Sequence, residues 1–114
     1  MNCEAANLRN ELVHLLKLLS SGDKQLEYAR NVAGAAVPKE LLCMWFDDFY
    51  LPKSEPFRQS FTDQELAALE SFNVYFEEQS ARLPQQTTIQ SWLETDAWQG
   101  IMRKAAETLT RLRT

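Results

Sequence analysis

The clearest helix signal in the chain lies in FTDQELAALESFNVYFEEQSARLP, residues 61–84. Thr62 followed three positions later by Glu65 is a capping-box pattern, in which the two side chains pair with backbone N–H groups that a helix start leaves unbonded. The apolar residues that follow recur every three or four positions, as on the buried face of a helix; they are Leu66, Leu69, Phe72, Phe76 and Leu83. We therefore predict a helix from Thr62 to about Arg82.

Three further helices are predicted before this stretch. The first runs from about Glu4 to Leu19, with one apolar stripe at helical spacing, formed by Ala5, Leu8, Leu12, Leu15, Leu16 and Leu19. Asp23 is a suitable cap for a short helix over residues 24–33, whose inward positions are Leu26, Ala29 and Ala33. Pro38 suits the first position of the third helix, because its missing N–H would be unpaired there. That helix should extend through Phe49.

Two helices are predicted after it. Thr87 with Gln90 resembles a second capping pair and opens a short helix through Trp92 and Leu93. Asp96 is expected to cap the last helix, whose stripe is Trp98, Ile101, Met102, Ala105, Leu109 and Leu112. Residues 51–61, LPKSEPFRQSF, carry two prolines and are expected to form a loop. No segment alternates with period two, so we predict an all-α protein: a single compact bundle of five or six helices over residues 1–114.

Length and composition limit the class of protein. A chain of 114 residues fits one domain, and its 45 % hydrophobic content is that of a globular protein. The longest apolar runs fall short of the roughly 18 residues of a membrane helix, and the start, MNCEAANLRNE, lacks the pattern of a signal peptide. We expect a soluble cytoplasmic protein whose two cysteines, Cys3 and Cys43, are reduced.

The charge is unevenly distributed along the chain. Residues 1–46 hold five acidic and five basic residues, residues 47–96 hold ten acidic and three basic ones, and residues 97–114 hold one acidic and four basic ones. The middle of the chain therefore carries a net charge of −7 within an overall −4. This clustering of negative charge disfavours direct binding of nucleic acid and favours a basic partner.

The residue types needed for catalysis or metal binding do not form a recognisable pattern. The single histidine, His14, lies on the polar face of the first helix and cannot be paired with either cysteine from the sequence. Asp47 and Asp48 with Glu55, Asp63 or Glu94 are candidate ligands for a hard cation, but adjacent side chains on a helix diverge by roughly 100°, so Asp47 and Asp48 would not converge on one ion. We predict no enzyme, no catalytic residue, no metal site and no cofactor.

The stretch WFDDFYLP, residues 45–52, places two aspartates among four aromatic residues. On a helical wheel Trp45 and Phe49 share the apolar stripe, whereas Asp47 falls on the solvent side and Asp48 at the edge of the stripe. The aromatic rings are therefore expected in the core, with the carboxylates at the surface above them. Tyr50 combines an apolar ring with a hydroxyl, which suits a half-buried rim.

A similar arrangement is predicted on the helix that starts at Thr62. One outer side of this helix carries what we call the acidic strip, defined as Asp63, Glu70, Val74, Glu77 and Glu78. No lysine or arginine lies between Arg58 and Arg82, so neighbouring residues on this helix offer no pairing partner. The strip is either a solvated helix face or a binding surface, and the sequence leaves both interpretations open.

Three segments together resemble a known class of proteins. They are DDFYLP, FTDQELAALESFNVYFEEQSARLP and SWLETDAWQGIMRKAAETL, which fall within residues 44–112. In pattern they resemble small all-helical immunity proteins of bacterial polymorphic-toxin systems, including contact-dependent growth inhibition and colicin-like systems. The resemblance implies a protein that binds and neutralises a cognate toxin domain encoded by a neighbouring gene. Many such toxins are nucleases with basic clefts.

An acidic surface would compete with nucleic-acid phosphate for the cations of such a cleft. The toxin-binding residues that charge placement predicts are Asp47, Asp48, Tyr50, Glu70, Val74, Glu77 and Glu78. We expect no direct contact with nucleic acid or membrane, and the oligomeric state stays open. The alternative is a regulatory adaptor or homo-oligomeric scaffold that uses a hydrophobic face around Trp92, Trp98 or Phe57.

Overall fold

The computed structural model of the chain describes residues 3–32, 36–84 and 87–112, with side chains from residue 7 onward within those ranges. These residues form seven α-helices and one π-helical segment, and no strand. The helices are α1 (Cys3–Leu19), α2 (Gly22–Asn31), α3 (Val37–Cys43), α4 (Glu55–Gln59), α5 (Asp63–Ser80), α6 (Ile89–Leu93) and α7 (Asp96–Arg111), and the π segment is Met44–Phe49. The predicted all-α class is confirmed, whereas the predicted count of five or six helices is too low.

The additional helix is α4, in the stretch predicted to be a loop. Ser54 caps it by accepting a hydrogen bond from the Phe57 N–H at 3.4 Å. Pro56 lies in the first turn, where a helix needs no N–H donor. The prolines that indicated a loop are therefore compatible with a short helix, and α4 buries Phe57 completely.

The predicted third helix has the expected extent but changes its hydrogen bonding at Met44. Its last part is the π segment, which ends with the Tyr50 N–H donating to the Trp45 carbonyl at 3.1 Å. In this conformation Trp45 is fully buried and its indole N–H donates to Asn73 Oδ1 of α5 at 2.9 Å. π-helical turns inside α-helices are uncommon and often occur at functional sites.

The capping box at the start of α5 is present as predicted. The Glu65 N–H donates to Thr62 Oγ1 at 3.1 Å, and the Thr62 N–H donates to Glu65 Oε1 at 2.9 Å. The three other predicted caps, Asp23, Thr87 and Asp96, are wrong, because neighbouring hydroxyl residues act as caps. These residues are Ser21, Thr88 and Thr95, which cap α2, α6 and α7. Asp23 and Asp96 lie inside the first helical turn, where their charge favours the positive end of the helix dipole.

The hydrophobic core lies between α1, α5 and α7, because α7 packs against both of the other long helices. Its largest fully buried side chains are Trp45, Trp98, Phe57, Phe72 and Phe76. The predicted stripes of α1, α5 and α7 supply most of the remaining core. Leu8, Leu66, Met102 and Leu109 are only partly buried, and the side chain of Ala5 lies outside the described residues. Within the described helices, none is long and apolar enough to cross a membrane.

The inward side of α2 differs from the prediction. Leu26 and Ala29 are only partly buried, and Ala33 lies outside the described residues. The fully buried side chain is Gln25, whose amide nitrogen donates to the carbonyls of Leu18 and Leu19 at 3.0 and 3.1 Å. Its amide oxygen accepts a 2.8 Å bond from the Trp98 indole N–H. Gln25 therefore joins the end of α1 to α2 and α7.

Candidate functional site

The acidic strip lies on the solvent face of α5. Asp63, Glu70, Glu77 and Glu78 are all exposed. Val74, in the middle of the strip, is 50 % exposed and is the one exposed large hydrophobic residue in the described part of the chain. This placement follows from helix geometry, because Val74 is two positions from both Phe72 and Phe76 and so lies roughly opposite their buried face.

The carboxylates of the strip form no ion pair with another residue that the structure describes. Among residues 3–32, 36–84 and 87–112, the acids that form ion pairs within 4.0 Å are Glu65 and Glu107, and neither belongs to the strip. Glu65 also lies on α5, but it is buried and pairs with Arg9 of α1. The exposed acidity of α5 is therefore confined to the strip, where the charges are free to interact with a partner.

Tyr50 occupies the half-buried rim position that the sequence predicts. Its ring stacks on Trp45 with centroids 4.8 Å apart and meets Phe57 edge-on at 5.7 Å. Burial raises the pKa of the Tyr50 hydroxyl above its ordinary value, and the negative charge of Glu70 raises it further. Tyr50 and Glu70 are thus electrostatically coupled although they lie on different elements.

A depression of about 390 Å³ brings some of the predicted residues together. It is lined by Tyr50, Pro52, Arg58, Leu66, Glu70, Asn73 and Val74. Tyr50, Glu70 and Val74 are shared with the predicted site. Glu77 and Glu78 continue the strip along α5 beyond the depression. Asp47 and Asp48 are exposed on the π segment and do not line the depression. We name this feature the Tyr50 depression.

Four residues that line the Tyr50 depression are not among the predicted site residues: Pro52, Arg58, Leu66 and Asn73. Arg58 reaches it from α4, in the stretch expected to be a loop. Asn73 forms part of its wall and is held by the bond from the Trp45 indole. The helical periodicity of α5 could have identified Asn73, because it lies seven positions after Leu66 and three after Glu70. No comparable signal exists for Arg58, because its position depends on the path of residues 50–60.

The aromatic face of the alternative function is not at the surface. Trp98 and Phe57 have no exposed area, and Trp92 is 3 % exposed with its indole N–H donating to the Pro84 carbonyl at 2.9 Å. These three residues belong to the core, so they cannot together form a hydrophobic interface in this fold.

His14 is exposed on α1, as predicted, and Cys43 is a partly buried free thiol at the end of α3. The side chain of Cys3 lies outside the described residues, so its reduced state stays a prediction. In the part of the chain that the structure describes, no three His, Cys, Asp or Glu side chains are grouped as they would be around a metal ion. The chemistry that the surface offers is charge, hydrogen bonding and apolar contact.

Comparison with protein-family models, with curated proteins and with solved structures gives no match for this chain. The resemblance to immunity proteins therefore rests on the residue patterns of the three segments quoted above.

Proposed function

We propose that this chain is an immunity protein, which binds a cognate toxin domain through its acidic surface and thereby neutralises it. The observation that carries the proposal is the setting of Val74, an exposed apolar side chain surrounded on α5 by carboxylates that form no ion pair with a described residue. Apolar groups at the centre of a contact and charges at its rim are the usual arrangement of a protein interface.

The proposed contact surface combines two neighbouring elements. α5 contributes Glu70, Val74, Glu77 and Glu78, and the π segment and its end contribute the remaining predicted residues, Asp47, Asp48 and Tyr50. The elements are joined by the Trp45–Asn73 hydrogen bond, so the backbone that carries these side chains is held in place before a partner arrives. A surface that is ordered beforehand loses less conformational entropy on binding.

A basic cleft in a nuclease toxin fits this surface by charge. The exposed carboxylates would occupy the cations that otherwise hold the phosphates of the nucleic acid, so the protein would act as a competitive inhibitor. Complementary charge also speeds association, which suits a protein that must capture a toxin before the toxin reaches its substrate. In this proposal the chain binds and has no catalytic activity of its own.

The experiment is a binding titration with the toxin domain encoded by the neighbouring gene, at about 0.05 M and about 1 M salt. Screening shortens the reach of exposed charges to about 3 Å at 1 M salt, so binding should weaken strongly. Inhibition of the toxin's activity should follow the same salt dependence. Absence of binding at low salt would remove the immunity proposal, and equal affinity at both salt concentrations would move the interface away from the acidic strip.

A further inference from the structure

The Tyr50 depression differs from the rest of the acidic strip in combining one carboxylate with an apolar wall. Leu66, Glu70 and Val74 follow one another at four-residue spacing on α5, so the Glu70 carboxylate lies between two aliphatic side chains. Tyr50 and Pro52, from the segment after the π segment, line the same depression. A ligand that fits this surface needs a long apolar stem with a cation at its end.

Among protein side chains, arginine and lysine have that form, and arginine fits better. Its planar guanidinium donates two parallel hydrogen bonds to one carboxylate, and it is less strongly hydrated than the lysine ammonium, so it leaves water more readily. Its methylene groups can lie along apolar surface while its charged end meets an acid. Glu70 has no hydrogen bond or ion pair to any other described residue, so both of its oxygens can accept such bonds.

Asn73 adds a specific polar group to the same surface. The Trp45 indole can only donate, so its 2.9 Å bond fixes the Asn73 amide with the oxygen toward Trp45. The amide NH2 group is left without a further partner among the described residues and belongs to a side chain that lines the depression. It can donate to a main-chain carbonyl of the residue whose side chain enters.

Arg58 is the one feature of the depression that opposes a cation. It is exposed, and it forms no ion pair with Glu70 within 4.0 Å. Because Arg58 and Glu70 line the same depression, the positive charge of Arg58 offsets part of the attraction that Glu70 exerts on a cation. Removing the Arg58 charge should therefore strengthen the attraction for a cation, and this effect provides a test.

We propose that the Tyr50 depression is the anchor point of the interface and receives an arginine side chain of the protein partner, with its stem on Leu66 and Val74 and its guanidinium on Glu70. The inference rests on the proposed function, because it identifies which part of the acidic surface makes the central contact.

The test uses the isolated protein and the probe N-acetyl-arginine N-methylamide, followed by two-dimensional NMR, with the citrulline analogue as the neutral isostere. The expected result is weak, millimolar binding that shifts the backbone amide signals of Tyr50, Asn73 and Val74, with no such shifts for the citrulline probe. Glu70→Gln should abolish these shifts and Arg58→Gln should lower the dissociation constant several-fold. Glu78→Gln, the matched control on the same helix outside the depression, should change the affinity by less than twofold.

Equal shifts with the arginine and citrulline probes would overturn the inference, as would shifts that persist in Glu70→Gln or that centre on Glu77 and Glu78. This test does not need the toxin, so its outcome is separate from that of the proposed function. If the arginine probe binds in the depression and the toxin domain does not bind, the immunity role is ruled out and the arginine site is supported. If the toxin domain binds and Glu70→Gln leaves its affinity unchanged, the immunity role is supported and the arginine contact at Glu70 is ruled out.

Discussion

Arg9 and Glu65, 56 positions apart in the chain, form a two-pronged ion pair with nitrogen–oxygen distances of 2.9 and 2.8 Å. Arg9 also donates to the Ser60 carbonyl at 3.0 Å and lies over the ring of Phe61. Because Glu65 is at the same time part of the α5 capping box, this pair joins α1 to the start of the helix that carries the acidic strip. The helix that presents the proposed interface is thus fixed at its first turn.

We expect Glu65→Gln to destabilise the protein by about 1–3 kcal/mol, because it leaves the Arg9 guanidinium with a neutral amide in place of a carboxylate. Glutamine can still complete the capping box, so the loss reports on the ion pair. The measurement is urea unfolding followed by circular dichroism. Glu107→Gln, which breaks exposed ion pairs within α7, is the control and should change the free energy of unfolding by less than about 0.5 kcal/mol.

Replacing Gln25 should disrupt the junction of α1, α2 and α7. Gln25→Leu leaves the Leu19 carbonyl and the Trp98 indole N–H without their partner in a buried site, and we expect a loss of about 2–4 kcal/mol. The Leu18 carbonyl loses its bond from Gln25 but still accepts from the Ser21 N–H at 3.3 Å. Thermal unfolding measures this loss, and the tryptophan fluorescence of the folded protein should change. The same replacement at the exposed Gln64 should alter stability by less than about 0.5 kcal/mol.

Gly100 is required by the close approach of α7 to Tyr75. A Cβ at this position would clash with the Tyr75 hydroxyl oxygen. The next nearest atom is the ring carbon Cζ of Tyr75, which would be 3.5 Å from the Cβ, an ordinary contact distance. Gly100→Ala should therefore destabilise the wild-type protein by about 1–2 kcal/mol. In a Tyr75→Phe background the clash is absent, and alanine should stabilise the helix by up to about 1 kcal/mol. A double-mutant cycle measured by urea unfolding tests this, and equal effects of Gly100→Ala in the two backgrounds would contradict it.

The coupling between Tyr50 and Glu70 should be visible in the titration of Tyr50. Burial and the Glu70 charge both raise its pKa above 10.0, so folding favours the neutral hydroxyl. The associated stability is present below pH 10 and is lost as the pH rises through the pKa of the folded state. Glu70→Gln should lower the pKa of Tyr50 while leaving it raised by burial. Ultraviolet absorbance of tyrosinate measures the shift, with Tyr50→Phe to assign the signal. An unchanged titration in Glu70→Gln would show that the two groups are not coupled.

The parts of the fold that follow from local patterns were predictable. The three long helices repeat their apolar residues at helical spacing, and the Thr62–Glu65 pair marks the start of α5. Cap positions were less accurate where two residues that can cap lie close together, as Ser21 and Asp23, Thr87 and Thr88, or Thr95 and Asp96 do. Either member of such a pair can accept the N–H, and the final choice depends on tertiary packing. The π segment and α4 have no distinct periodicity, since each is six residues or shorter.

The candidate site was predictable to a similar extent. The strip on α5 follows from helical geometry, as does the exposure of Asp47 and Asp48. The Tyr50 depression does not, because Tyr50, Arg58 and Asn73 come together only through the turn after the π segment and the position of α4. Buried polar contacts such as Gln25–Trp98 and Arg9–Glu65 join residues far apart in the chain, and neither pair shows a pattern in the sequence.

The most direct test of the central claim is the affinity for the toxin domain of the triple variant Glu70→Gln, Glu77→Gln, Glu78→Gln, measured at low salt. The matched control is Glu11→Gln, Glu27→Gln, Glu94→Gln, which changes the net charge equally at exposed positions outside α5 and the π segment. We predict that the strip variant binds about tenfold or more weakly, since three charge pairs of about 0.5–1 kcal/mol each are lost, and that its salt dependence is reduced. The control variant should bind within about twofold of the wild type. Equal affinities of the two triple variants would contradict the account, because the acidic strip would then be a solvated helix face.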